Sequence, residues 1–110
     1  MSSFDRREEA FEKRFAVDEE ITFKALARRN KRIGLWAAQL LGKDAAAAES
    51  YAAELVAAQA GGRGDDGLLG ALRADFDRAG IEMSDHRIRR KLEEALAEAR
   101  AELMAGNNPA

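Results

Sequence analysis

The stretch Asp18–Gly42, DEEITFKALARRNKRIGLWAAQLLG, decides the fold. Within it Thr22, Leu26, Ile33, Trp36 and Leu40 recur at three-, four- and seven-residue steps, which lays them along one stripe of an α-helix. Nothing in the stretch alternates with the period of two that a half-buried strand needs. Gly42 is suited to the left-handed position just past a helix end, so the spacing predicts a helix over residues 18–41.

Reading onward, Asp44 is a good N-cap for a second helix whose face carries Ala48, Tyr51, Ala52, Leu55 and Val56 up to about Ala60. Small residues there let a partner helix approach closely. Gly61-Gly62-Arg63-Gly64 predicts a turn, because glycines lose the most backbone entropy in a helix. Asp65 or Asp66 is then expected to cap a third helix with the stripe Leu68, Leu69, Leu72, Phe76 and Ala79, stopped by Gly80. Ile81 and Met83 in the next connection are expected to plug the core. Ser84 or Asp85 starts a last helix with Ile88, Leu92, Leu96, Ala99 and Leu103 in line, until Gly106-Asn107-Asn108-Pro109 ends it. Four amphipathic helices on short connections predict an all-α fold, an antiparallel four-helix bundle over residues 18–106 with a tail at 107–110.

Composition agrees with helices. The 110 residues are 46% apolar, enough for one domain around one core, and much of that share is Ala while Val, Ile and Thr are scarce. There is no cysteine, which removes disulfides, thiolate metal sites and a cysteine nucleophile. The net charge is −2, yet residues 21–43 hold six bases and no acid, whereas residues 1–20 hold seven acids against four bases. Acids elsewhere in the chain oppose nucleic-acid binding, which requires a net basic surface. No run approaches the ~20 apolar residues of a membrane span and the N-terminus lacks a signal-type apolar region, so a cytoplasmic address is expected.

Residues 1–17 stand apart from the bundle pattern. Phe4, Phe11 and Phe15, three of the five phenylalanines, lie seven and four residues apart with Arg6, Arg7, Lys13 and Arg14 between them. On a helix the rings share one side and form an apolar ridge. One reading docks the ridge on the domain as the opening turns of a longer first helix. The other makes it a flexible arm that lays its anchors into a partner's groove.

Two blocks resemble a known family. The segment FDRREEAFEKRFA at residues 4–16 resembles the N-terminal inhibitory segment of the zeta subunit, the inhibitor of the F-type ATP synthase in alphaproteobacteria. The segment FKALARRNKRIGLWAAQLLG at residues 23–42 resembles that family's most recognisable stretch, and the remaining helices match in order and approximate length. The resemblance implies an antiparallel four-helix body with a mobile, flexible N-terminal arm at residues 1–17, which enters an alpha/beta catalytic interface and blocks rotation in the hydrolytic direction. The implied partners are the alpha, beta and gamma subunits, with the free chain a monomer, no catalysis of its own, no cofactor, and a place peripheral to the membrane-bound enzyme without insertion into the bilayer. The partner-binding residues are then expected to be Phe4, Asp5, Arg6, Arg7, Glu8, Phe11, Lys13, Arg14 and Phe15. The alternative is a helical adaptor using the same arm on another partner.

Other signals are weaker. Arg28, Arg29, Asn30, Lys31 and Arg32 read either as a solvated helix face or as a secondary contact for an acidic surface. Gly62-Arg63-Gly64-Asp65-Asp66-Gly67 fits the spelling of a dinucleotide loop, but follows a helix rather than a strand and carries two acids that repel a pyrophosphate. A single histidine, His86, builds no multi-histidine metal site. Asp75 and Asp77 point to different sides of a helix and form no carboxylate pair. Trp36 and Tyr51 read as packing residues.

Overall fold

The computed structural model describes residues 3–60, 62 and 64–106, with residues 3–5 and 15 described by backbone alone. Its elements are α1 (Ser3–Leu40), α2 (Ala45–Gln59), α3 (Gly64–Arg78) and α4 (Asp85–Gly106), and among the described residues there is no strand. The fold is all-α, as expected. The tail at 107–110 and the side chains of Phe4, Asp5 and Phe15 lie outside the described residues.

Helix ends follow the punctuation. Gly42 adopts φ 77°, its N–H donates to the Gln39 carbonyl at 3.1 Å, and the Lys43 N–H donates to the Ala38 carbonyl at 3.0 Å. Those bonds satisfy carbonyls that the end of α1 leaves without helical partners. Two residues later the Asp44 carboxylate accepts from the Ala47 N–H at 2.8 Å and caps α2. Gly80, at φ 71°, turns the chain after α3, and the Ile81 N–H reaches back to the Phe76 carbonyl at 2.9 Å. The Ser84 hydroxyl accepts from the Arg87 N–H at 3.1 Å to open α4.

Two boundaries differ from the sequence expectation. α3 begins at Gly64, so Asp65 and Asp66 sit in its first turn, where a negative charge is favoured by the helix dipole. α1 does not begin at Asp18 but runs back to Ser3, because no Gly or Pro interrupts residues 3–33 and the acids at 18–20 do not oppose a helix.

The core is centred on α3. Leu68, Leu72, Phe76, Ile33 and Ile88 are fully enclosed, with Leu55, Leu69, Met83, Leu92 and Ala95 around them. Trp36 meets Phe76 edge to face, ring centroids 5.8 Å apart, while the Lys91 ammonium lies over the indole at 5.8 Å. Met83 is buried and Ile81 packs against the same cluster, so the α3–α4 connection closes the core as expected.

The stripe on α1 is displaced from the predicted one. Ile21, Ala25, Ile33, Ala37 and Ala38 are buried, whereas Leu26 is 36% and Leu40 42% exposed. α1 packs on α2, with Gly34 against Ala52, and on α4, with Thr22, Arg28 and Arg32 along it, and three of its five buried apolar residues are alanines. Gly34 makes the closest approach: a Cβ there would stand 2.7 Å from the Ala52 Cα. The alanines of α2 and this glycine together allow the backbones to touch.

α1 and α4 run antiparallel, since Arg32 pairs with Glu98 and Arg28 pairs with Glu102. The molecule measures 64 × 29 × 23 Å with a radius of gyration of 17.7 Å. A compact chain of this length has about 13 Å. The excess comes from α1, whose 38 residues outrun the other helices.

Candidate partner-binding surface

Every described side chain from Arg6 to Glu20 is exposed, and burial begins at Ile21. Phe11 is 69% exposed and Val17 47%. Helical register from Ser3 onward keeps positions 4, 11 and 15 on one face, so the ring observed bare at Phe11 marks the face that the sequence singled out. Arg6, Arg7, Glu8, Lys13 and Arg14 are all exposed around it. Covering a Phe side chain contributes roughly 1.5–3 kcal/mol, and this one gains nothing from the described body.

The apolar surface continues past the expected arm. Phe23 is 75% exposed and Leu26 borders it, and with Asp18, Glu19 and Thr22 they line a shallow concavity on α1. Sequence reasoning put Leu26 in the core and gave Phe23 no separate role. The signal available was that Phe23 falls off the stripe of its own helix.

Residues 28–32 divide into two groups. Arg28 donates to Glu102 at 3.0 Å, and Arg32 reaches both Glu98 at 3.1 Å and Glu102 at 2.7 Å, on the surface between α1 and α4. The hydrogen bond to Arg32, then the one to Arg28, holds the Glu102 carboxyl below the ordinary carboxylate range. The same Glu102 bond raises the Arg32 guanidinium against the lowering effect of partial burial. Lys31 is exposed. Arg29 and Asn30 correct the expectation of a wet face, being only 3% and 7% exposed. Arg29 turns inward because it has partners there: it bonds the Asn30 side-chain oxygen at 3.0 Å and Asp65 at 2.7 and 3.1 Å. A buried guanidinium is tolerable only with such compensation, so this pair ties α1 to the start of α3.

That pairing also accounts for the acids in the dinucleotide-like spelling. Asp65 is engaged by Arg29, Asp66 lies 3.3 Å from Arg89, and the segment follows α2. Asp75 is half-buried and accepts from the Tyr51 hydroxyl at 2.6 Å, while Asp77 lies on the exposed side near Arg73. Burial, then that hydrogen bond, pushes the Tyr51 phenol well above its ordinary value. His86 is exposed in the first turn of α4. Among the described residues no group of three or more His, Asp or Glu is placed to hold a metal ion, and no helix is long and apolar enough to cross a membrane.

What the arrangement offers is contact: an exposed helical segment with bare apolar side chains, projecting from a closed bundle. Comparison with curated individual proteins gives no match. The sequence model of one family, described as ATPase inhibitor subunit zeta, matches residues 1–102, nearly the whole length. The arm, the basic stretch and all but the end of α4 fall within that match, and the chain belongs to the ATPase inhibitor subunit zeta family.

Proposed function

We propose that this chain inhibits the F-type ATP synthase by inserting residues 1–17, the arm, at an alpha/beta catalytic interface while residues 18–106 remain outside as the body. Family membership supports the ATPase-inhibitor role. The observation that carries the finer reading is Phe11, 69% exposed on a segment of α1 whose described side chains are all bare before Ile21. An inserting wedge needs apolar anchors for the cleft and charges for its rim, and Phe11 with Arg6, Arg7, Glu8, Lys13 and Arg14 supplies both. Phe4, Phe15 and Asp5 complete the set by register. Arg28, Lys31 and Arg32 are accessible at the body end of the same helix and form the secondary contact. Blocking rotation places the gamma subunit among the parts affected, and the inhibitor sits peripheral to the membrane-bound enzyme.

The test is hydrolysis of ATP by the isolated catalytic sector of the synthase. The full chain is expected to suppress it, and the chain lacking residues 1–17 to leave it untouched while keeping its helical circular dichroism per residue. Equal inhibition by both would refute the arm. No inhibition by either, with capture of a different complex, would favour an adaptor.

A further inference from the structure

The point at which α1 leaves the body carries a contact that the inhibitory reading does not use. The Arg100 guanidinium on α4 donates to the Thr22 hydroxyl at 3.1 Å, and that hydroxyl donates to the Asp18 carbonyl at 2.9 Å. Arg100 and Thr22 are both half-buried, and the neighbours Ile21 and Ala25 are buried. Among the described residues this is the last side-chain hydrogen bond between another helix and α1 before the exposed segment begins. A threonine that bonds the carbonyl four residues back loosens and bends a helix. The place where the helix is weakened by its own side chain is therefore also the place where Arg100 holds it.

We propose that Arg100 is a positioning residue, which through Thr22 fixes the direction in which the arm leaves the body. The proposal rests on the inserting role of the arm. Residues 3–21 extend about 28 Å beyond the brace at ~1.5 Å per residue, so a tilt of ~10° at Thr22 carries the tip through about 5 Å. An anchor aimed at a cleft tolerates far less than that, and a held direction reduces the orientational freedom lost on binding.

The chain has no cysteine, so two introduced cysteines carry spin labels without ambiguity. Glu12→Cys on the arm and Glu54→Cys on α2 are both exposed. Pulsed electron–electron distance measurement on the full chain should give a narrow distribution. Arg100→Ala and Thr22→Val should broaden it, and Thr22→Ser, which keeps the hydroxyl, should restore it. Thermal midpoints should stay within about 3 °C of the parent, since the bond is partly solvated and worth little to the fold. Inhibition of hydrolysis by Arg100→Ala should weaken about fivefold, because the unbraced arm has more orientational freedom to lose on binding. An unchanged distribution in Arg100→Ala and Thr22→Val, or equal broadening in Thr22→Ser, overturns the brace. If the parent chain fails to inhibit at all, the inserting role falls while the distance result still decides the brace.

Discussion

Replacing Gly34 by Ala should destabilise the protein, and replacing Gly70 by Ala should stabilise it. Both glycines lie inside helices, so each change gains up to about 1 kcal/mol of helix propensity. At Gly70 the new methyl meets nothing within 4 Å and the gain is kept. At Gly34 it would stand 2.7 Å from the Ala52 Cα and 2.9 Å from its Cβ, with Leu55 at 3.4 Å. Ordinary carbon contacts need about 3.5 Å, and the obstructing atoms are backbone or next to it, so α2 must move as a body. Overpacking costs roughly 1–3 kcal/mol, and a clash against backbone lies in the upper part of that range, about 2–3 kcal/mol, leaving a net loss of about 1–2 kcal/mol. For this size that is a fall of roughly 4–9 °C in thermal midpoint, against a rise of about 2–4 °C for Gly70→Ala. Thermal unfolding followed by circular dichroism measures both. If Gly34→Ala proves as stabilising as Gly70→Ala, the α1–α2 contact is not as close as described.

Arg29→Ala should cost about 2 kcal/mol in urea unfolding, because it strips the buried Asn30 oxygen of its donor and leaves a cavity while the half-exposed Asp65 is rehydrated; a cost under about 0.5 kcal/mol would show that the guanidinium is not buried. Glu102 binds its proton less readily folded than unfolded, so its contribution is present above roughly pH 4.3 and lost as pH falls through the lower folded value. The midpoint difference between the parent and Glu102→Gln should therefore narrow as the pH falls from about 6 to below about 4, and a constant gap refutes the linkage. The single tyrosine should show almost no phenolate absorbance at about pH 10, where a free phenol is half ionised, and Tyr51→Phe should lower stability by about 1 kcal/mol.

Local chemistry was the part of the fold most legible in the sequence. Gly42, Asp44, Gly80 and Ser84 announced helix ends from their residue types, and the long apolar side chains of α3 left little choice of buried face. The face of α1 was harder. A stripe read from size favours Leu26 and Leu40, but the helix packs by closeness, and closeness selects Ala25, Ala37 and Gly34, which a hydrophobic pattern underweights. Arg29 was misread because its partner Asp65 is 36 positions away, and no local pattern reports such a pair. The spacing of the arm's rings was plain in the sequence, and Phe11 is the one of the three whose exposure is described, whereas Phe23, off the predicted stripe, gained a role only once Ile21 was seen to take the covered position.

The unbroken course of α1 has a mechanical side. With neither glycine nor proline between Ser3 and Ile33, the point at which the segment would give under load is Thr22, where Arg100 braces it. Force applied to its tip by a turning shaft would pass along the backbone as torque and arrive at the seam with α4, where Arg28 and Arg32 grip Glu98 and Glu102. In the inserting role proposed above, such a seam would yield by peeling, one ion pair after another, and its resistance would weaken with rising salt.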